Sequence, residues 1–200
     1  MRHHTATHVL LHAATKVLGA HVHQAGAQKG SEASRLDIRH YKHITPEELR
    51  RIEIEANRMV MADMPVYINI EERTKAEQKY GFGLYQGGVP PGREIRTVQV
   101  GGDVQACAGT HVRTTGEIGL IRVIGVEHIQ DGVERLIFAA GIAAVYSMQH
   151  MDDLLQAAAS VVSVQPENLP ATVTRFFSEW KEQRSSSVGT SAKGFMKAVL

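Results

Sequence analysis

Residues 95–139 read IRTVQVGGDVQACAGTHVRTTGEIGLIRVIGVEHIQDGVERLIFA, and this stretch holds four β-branched or apolar runs. Glycine-containing turns, Gly101-Gly102 and Asp131-Gly132, separate neighbouring runs, and turns of this kind typically join paired strands. The segment therefore predicts a mostly antiparallel sheet. Its expected strands are Ile95 to Val100, Val104 to Cys107, Gly119 to Ile129 and Val133 to Ala139.

Helical patterns precede this sheet. Apolar residues recur at helical spacing from His4 to Leu18, and Gly19 is the expected C-cap. Thr45-Pro46-Glu47-Glu48 predicts the start of a second helix, in which Thr45 caps the N-terminus and Glu48 closes a capping box. We expect that helix to reach about Met61. Together these patterns predict an α+β fold, with a mostly antiparallel sheet packed with helices.

Shorter elements lie between these helices and the sheet. A polar stretch from His21 to Glu32 leads to Arg35–Arg39, whose strict alternation predicts a half-buried strand. Val66 to Ile70 predicts another short strand, and the charged segment Glu72 to Tyr80 predicts a helix. Residues 81–92 contain five glycines and Pro90-Pro91, so we expect a surface loop. Such a loop is long enough to act as a lid, or it is only a variable connection.

The C-terminal third predicts a helical extension. A helix is expected from Ile142 to Val162, Pro166 ends it, and a second amphipathic helix follows. We expect its apolar stripe to pack within the chain or to pair two chains as a homo-oligomer; the stripe comprises Val173, Phe176, Phe177 and Trp180. The predicted division is a domain over residues 1–141, a helical extension over 142–184 and a flexible tail over 185–200.

Composition narrows the class of protein. The chain has 200 residues, 43% hydrophobic and 22% charged, which excludes intrinsic disorder. Its apolar runs are shorter than the roughly 20 residues that cross a bilayer, and no secretory signal is evident, so no membrane partner is expected. A single cysteine fits a reducing, cytoplasmic location. The formal charge of +1 predicts only local contacts with nucleic acid.

Two short motifs carry metal-binding chemistry. His4 and His8 stand four residues apart in the first helix, so both imidazoles project from one face. Cys107-Ala-Gly-Thr-His111 carries a thiolate and an imidazole on a turn after a strand, where we expect Gly109 to let the backbone reverse. Tetrahedral Zn²⁺ accepts mixed Cys and His ligands, which makes zinc the leading candidate. Each half alone has an ordinary explanation, and His8 with His12 has the same spacing as the first pair.

The chain also resembles a known family. His4-Thr-Ala-Thr-His8, His21-Val-His-Gln24-Ala-Gly26 and Cys107-Ala-Gly-Thr-His111, in this order, resemble the editing domain of alanyl-tRNA synthetase, most closely its archaeal form. The resemblance covers about residues 2–141. It extends through Thr115-Gly-Glu-Ile-Gly119, Ser34-Arg-Leu-Asp37, Tyr85-Gln-Gly-Gly-Val-Pro-Pro-Gly92 and Ile129-Gln-Asp-Gly-Val-Glu-Arg135.

The resemblance implies hydrolysis of serine, and of glycine, from the 3′ acceptor end of mischarged alanine tRNA. It places the Zn²⁺ ligands on His4, His8, Cys107 and His111, and a substrate-binding or water-positioning role on Gln24. Gln24 and Thr110 are candidates for recognising the seryl hydroxyl, because a hydrogen-bonding site discriminates better than an apolar pocket. The candidates for phosphate contacts are Lys29, Arg35, Arg39, Lys42, Arg50 and Arg93.

Two departures from the family pattern matter. Ala108 stands where the family usually has glycine, and no aminoacylation core precedes His3. We therefore expect a piece of a larger synthetase that cannot charge tRNA alone. The alternatives are a free-standing editing protein of the AlaX type, a tRNA-binding module with purely structural zinc, and an interaction fragment driven by its C-terminal helices.

Overall fold

The computed structural model describes the backbone of residues 1–197 and the side chains of residues 1–185. The chain forms two compact units, residues 1–148 and residues 149 onward. The helices of the first unit are α1 (Arg2–Leu18), α2 (Pro46–Met61) and α3 (Arg73–Tyr80), and α4 (Ile142–Val161) begins there. The strands are β1 (His23–Gln28), β2 (Ser34–Arg39), β3 (Val66–Glu72), β4 (Glu94–Val100), β5 (Asp103–Ala106), β6 (Ile121–Gln130) and β7 (Val133–Ala140).

The strands form two antiparallel sheets. One has the order β1-β2-β7-β6 and the other the order β3-β4-β5. The α+β fold class and the antiparallel pairing are confirmed. The four predicted strands of residues 95–139 do not share one sheet, however. β4 and β5 pair with β3, whereas β6 and β7 pair with each other and with β2.

Helix α1 is the central element of the main core. Its apolar stripe is fully buried and packs with α2 and the four-stranded sheet. Burying each larger aliphatic side chain contributes about 1.5–3 kcal/mol, so this stripe fixes the helix firmly. The stripe consists of Ala6, Val9, Leu10, Ala13 and Ala14. Thr5, Thr7 and His8 are also buried, so polar side chains of α1 enter the interior.

Helix α2 begins as the sequence predicts. The Glu48 backbone N–H donates to Thr45 Oγ1, and the Thr45 backbone N–H donates to the Glu48 carboxylate, which completes the capping box. Pro46 occupies the first turn. The helix ends at Met61.

The sequence analysis missed β1, which lies in the predicted polar stretch His21 to Glu32. β1 is the edge strand of the four-stranded sheet and buries none of its side chains completely. Its sequence, His-Gln-Ala-Gly-Ala-Gln, therefore lacks the apolar alternation from which a strand is predicted. Backbone pairing with β2 forms it, with an irregularity between Gln24 and Gly26.

The predicted surface loop over residues 81–92 is largely irregular, with one short 3₁₀ turn, Phe82–Leu84. Leu84 is buried in a small second core with Ala76, Ile95 and Ala106. The Arg73 guanidinium donates to the carbonyls of Pro90 and Gly92. The loop is therefore anchored at both ends of its span, and its role as a lid stays a prediction.

The C-terminal residues are helical. α4 is followed by a 3₁₀ turn, Pro166–Asn168, and by α5 (Leu169–Lys197). The predicted stripe on α5, Val173, Phe176, Phe177 and Trp180, is 44–55% exposed, and the Phe177 and Trp180 rings stack at 5.7 Å. The predicted tail, residues 185–200, lies almost entirely outside the described side chains, although the backbone of α5 continues to Lys197. Within the described part of the chain, no helix combines the length and apolarity that crossing a bilayer requires.

Candidate metal centre

Four side chains from opposite halves of the chain meet at one point. His4 and His8 project from one face of α1, and Cys107 and His111 lie on the loop after β5. Their donor atoms all lie within 4.8 Å of one another. The structure therefore brings together the two motifs that the sequence analysis paired.

The distances within this group suit a single metal ion. Cys107 Sγ lies 3.3 Å from His4 Nε2 and 3.4 Å from His111 Nε2. Tetrahedral zinc, with bonds of about 2.0–2.3 Å, holds N and S ligands roughly 3.5 Å apart. These two separations match those on a tetrahedral ion to within a few tenths of an ångström.

Electrostatics keep the three imidazoles neutral. Burial lowers the pKa of His4 to about 4 and the pKa of His111 to about 3, and the positive charges of Lys29 and Arg96 act in the same direction. Burial also lowers the pKa of His8 well below its usual value. A neutral imidazole is the form that coordinates a metal, so these side chains are ready ligands near neutral pH.

His8 gives a further sign that a cation fits here. The side chain is buried, and its Nδ1 atom has no hydrogen-bond partner. Buried polar atoms in proteins nearly always have a partner, whether protein, water or ion. The donor set of three neutral imidazoles and one thiol is characteristic of zinc, and the residues fit that ion.

Thr5, which the sequence analysis did not single out, orients His111. Its Oγ1 accepts a hydrogen bond from the Val112 backbone N–H and lies 3.1 Å from His111 Nδ1. A proton on His111 Nδ1 leaves Nε2 free to bind a metal, the usual arrangement around a metal-bound histidine. Thr5 stands three residues before His8 on the same helical face, and that spacing is the one signal the sequence offers.

Arg96 supports the loop that carries Cys107 and His111. Its guanidinium Nη1 donates to the carbonyl oxygens of Cys107 and Gly109. Arg96 lies in β4, which is predicted from its apolar residues. The sequence therefore gives no sign of this role for Arg96. The two bonds fix the backbone between the ligands.

Gly109 is required for a different reason from the one expected. Its backbone is not in the left-handed region, so the turn does not depend on glycine. A Cβ atom at this position would lie only 1.9 Å from Cε1 of His4. Gly109 therefore allows the His4 imidazole to approach the loop, whereas Ala108 is exposed and fits without conflict.

Two cavities border the cluster. A cavity of about 740 Å³ is lined by His4, Thr110, Lys29 and Arg2, among others. A second, of about 260 Å³, is lined by Cys107, Arg96 and the glycine-rich loop, among others. The larger one falls in the size range of small-molecule sites, about 300–1,000 Å³.

The predicted substrate-binding residues lie in different places. Thr110 lines the larger cavity beside His4. Gln24 is on β1, its backbone N–H donates to Gln86 Oε1, and its side chain lies near Gly87, which borders the smaller cavity. Gln24 thus lies near the smaller cavity, whereas Thr110 lines the larger one.

The basic residues predicted to contact phosphates also lie in different parts of the structure. Lys29 lines the larger cavity, and Lys29 and Arg35 both line a neighbouring cavity of about 430 Å³. Arg39 pairs in register with His23, at the other end of β2 from Arg35. Arg93 lies in the three-stranded sheet region, where its carbonyl accepts from the Arg73 N–H, and Arg50 pairs with Glu47. Of the predicted contacts, Lys29 lines a cavity that borders the cluster, Arg35 lines the neighbouring cavity, and Lys42 lies over the Tyr41 ring.

Comparison with known proteins gives consistent relatives. Residues 95–137 match the family described as the threonyl and alanyl tRNA synthetase second additional domain. The chain is 86% identical over 184 residues to the alanine–tRNA ligase of Methanoculleus marisnigri and 71% identical to that of Methanoregula boonei. It is 60% identical over 186 residues to the alanine–tRNA ligase of Methanosarcina barkeri.

These alignments are unequal in coverage. They include 92–93% of this chain but 20% of each relative. The chain therefore spans about one fifth of the length of the curated relatives it matches.

Proposed function

We propose that this chain, whose residues 95–137 match the threonyl and alanyl tRNA synthetase second additional domain, hydrolyses mischarged alanine tRNA. The substrate is the ester that joins serine, or glycine, to the 3′ end of that tRNA. The hydrolytic domain is the segment 1–141, and residues 142–184 are a helical extension of it.

One observation carries the proposal. The four side chains His4, His8, Cys107 and His111 converge beside a cavity of about 740 Å³ that Thr110 and Lys29 also line. A metal-ligand set next to a cavity of ligand size, with polar and basic groups at its wall, suits a small charged substrate group. The terminal adenosine and its aminoacyl group fit this description.

The proposed resident ion is Zn²⁺, held by His4, His8, Cys107 and His111. Zinc, when bound, lowers the pKa of water or polarises the ester carbonyl. The protein's own residues do the positioning. Thr5 holds His111 in one tautomer, Arg96 fixes the backbone of the ligand loop, and Gly109 makes room for His4.

Discrimination between serine and alanine requires a polar contact with the seryl hydroxyl. Thr110 is the proposed partner for that contact, and its position in the lining of the larger cavity, which His4 also lines, supports the proposal. Gln24 lies next to the glycine-rich loop, near Gly87, and is proposed to orient the aminoacyl group. A site that hydrogen bonds a hydroxyl rejects a substrate lacking it far more strongly than an apolar pocket does.

Lys29 and Arg35 are the proposed contacts for the phosphates that lead into the site. Lys29 is exposed and lines the larger cavity, and Arg35 lines the neighbouring one. The guanidinium of Arg35 offers several N–H donors, which suit phosphate oxygens. Arg39 and Arg93 lie away from these cavities and are proposed to contribute less.

The test is release of serine from serine-charged alanine tRNA by the zinc-loaded chain. Thr110→Val, which keeps the shape of the side chain, is expected to slow release of serine by about 10-fold or more, the effect of losing one hydrogen bond to substrate. Ser31→Ala, at another position lining the same cavity, serves as the matched control. Release at the wild-type rate by Thr110→Val would remove Thr110 from the proposal, and no release by wild type would remove the proposed function itself.

A further inference from the structure

A second group of metal-ligand side chains lies outside the first. His43 is in the connection between β2 and α2, while His128 and Glu134 face each other across β6 and β7. His128 Nδ1 lies 2.8 Å from Glu134 Oε1, and His43 Nδ1 lies 3.2 Å from the same oxygen. The two imidazole rings are 4.6 Å apart and nearly perpendicular. One carboxylate oxygen and two ring nitrogens thus lie within 4.8 Å of one another.

This group is independent of the first one. Glu134 is the second residue of β7, and the other end of that strand, Ala140, donates its N–H to His3 next to the first group. The six residue steps from Glu134 to Ala140 extend about 20 Å along the strand. No ligand of one group belongs to the other.

Among the three side chains of this second group, the carboxylate of Glu134 is unusual because it is buried. Its side chain is 4% exposed, and the ion-pair partners it has within residues 1–185 are His43 and His128. A buried carboxylate is costly unless a positive charge accompanies it. Imidazole supplies that charge only when protonated, whereas a divalent cation among the three groups supplies it while both imidazoles are neutral.

We propose that His43, His128 and Glu134 form a second binding site for a divalent transition-metal ion, zinc or an ion of similar ligand preference. Two imidazoles and one carboxylate are a ligand set common for such ions, and three protein ligands leave room for water. Ligands on a tetrahedral ion with bonds of about 2.0–2.1 Å lie roughly 3.4 Å apart, so the observed distances of 3.2 Å and 2.8 Å would lengthen by about 0.2 and 0.6 Å when an ion binds. The side chains of His43 and His128 are 75% and 43% exposed, so the ion reaches the site directly from solvent.

Binding there would join two parts of the fold. His43 belongs to the connection that leads into the Thr45 cap of α2, and His128 belongs to the β6–β7 hairpin. A bound ion would fix that connection against the hairpin. The site has fewer ligands and more exposure than the first group and lacks a thiolate, so it binds more weakly.

The experiment titrates the metal-free chain with Co²⁺ alone and measures bound metal by equilibrium dialysis, together with the absorption spectrum. We expect two equivalents to bind. The tighter one produces a thiolate-to-cobalt charge-transfer band through Cys107, and the weaker one binds without raising that band. A single equivalent that accounts for the whole charge-transfer band, with no further metal bound, would overturn the proposal.

Variants assign the weaker equivalent. His43→Ala and Glu134→Gln are both expected to lose it and to keep the charge-transfer band of the first. His43 is exposed, so its replacement leaves the core intact, and His150→Ala, at an exposed position on α4, is the control that keeps both equivalents. Retention of the second equivalent by the His43→Ala/His128→Ala double variant would contradict the assignment, and the two protonatable imidazoles would then be simple partners of Glu134. Serine release is not part of this test, so its outcome is separate from that of the proposed function.

Discussion

The two histidine groups differ in the features that decide how a metal site behaves. The group of His4, His8, Cys107 and His111 combines a thiol with imidazoles that are buried or half-buried, next to a large cavity. The group of His43, His128 and Glu134 has a buried carboxylate, but its imidazoles are exposed. The first therefore keeps its ligands neutral and oriented, whereas the second depends on solvent-exposed side chains that must be ordered when an ion binds. The two groups share the proximity of their ligands. They differ in the burial of the imidazoles and in the contacts that orient them.

The largest effect is expected from His8→Ala. This change removes a buried ligand whose Nδ1 has no hydrogen-bond partner, so the first group should lose its zinc. We expect serine release to fall by at least about 100-fold, beyond the loss typical for a supporting residue of a metal site. Zinc content and deacylation are measured on the same sample, and His150→Ala is the control. Full zinc content with lost activity would instead give His8 a direct contact with substrate.

Gly109→Ala tests the support of the first group without removing a ligand. The added Cβ would lie 1.9 Å from Cε1 of His4, so the imidazole or the loop must shift and the ligand geometry must change. Zinc affinity is expected to fall by about 10–100-fold, as for other changes that reorient a ligand. Ala108→Gly changes the neighbouring residue of the same loop and should leave affinity unaltered. Equal affinities in both variants would show that the loop adjusts freely.

The pH dependence of the metal-free chain distinguishes buried from exposed imidazoles. His4 and His111 have folded-state pKa values of about 4 and about 3, below their usual value of 6.5. The unfolded chain therefore takes up protons first, and stability is expected to fall as the pH drops from 6.5 toward about 4. Chemical denaturation at several pH values measures this. His4→Gln should flatten the dependence, whereas His150→Gln should not; an unchanged slope in His4→Gln would contradict the assigned cause.

The smallest effect is expected from Thr45→Ala, two residues after His43. Loss of the capping box should lower the free energy of unfolding by about 1 kcal/mol. Denaturation curves give this value, and metal binding should remain at two equivalents because the cap contributes no ligand. Loss of the weaker equivalent would mean that the second group requires an intact start of α2, and not only its three side chains.

Much of this fold could be predicted because its helices and strands leave recognisable patterns in the local sequence. The periodicity of α1, the capping box of α2 and the apolar runs of β4 to β7 each reflect contacts within a few residues. β1 could not be found, because an edge strand without a buried face has no such pattern. The division into two sheets also depends on pairing between distant strands, which single runs do not encode.

The first histidine group could be predicted from the sequence for a related reason. Its two halves, His4 with His8 and Cys107 with His111, each have a fixed local spacing that suits a metal. The supporting contacts of Thr5 and Arg96 join residues across long sequence separations and carried little or no local signal. The second group has no motif at all: His43 comes from a connection, and the register of β6 with β7 alone brings His128 opposite Glu134.

The most direct test of the central claim is deacylation of serine-charged alanine tRNA by this 200-residue chain, before zinc removal, after it and after zinc is restored. We expect the zinc-loaded chain to release serine and to spare correctly charged alanine tRNA. Release should stop when zinc is removed and return when zinc is restored. Serine release that continues unchanged in the zinc-free chain, or its absence from the zinc-loaded one, would contradict the account.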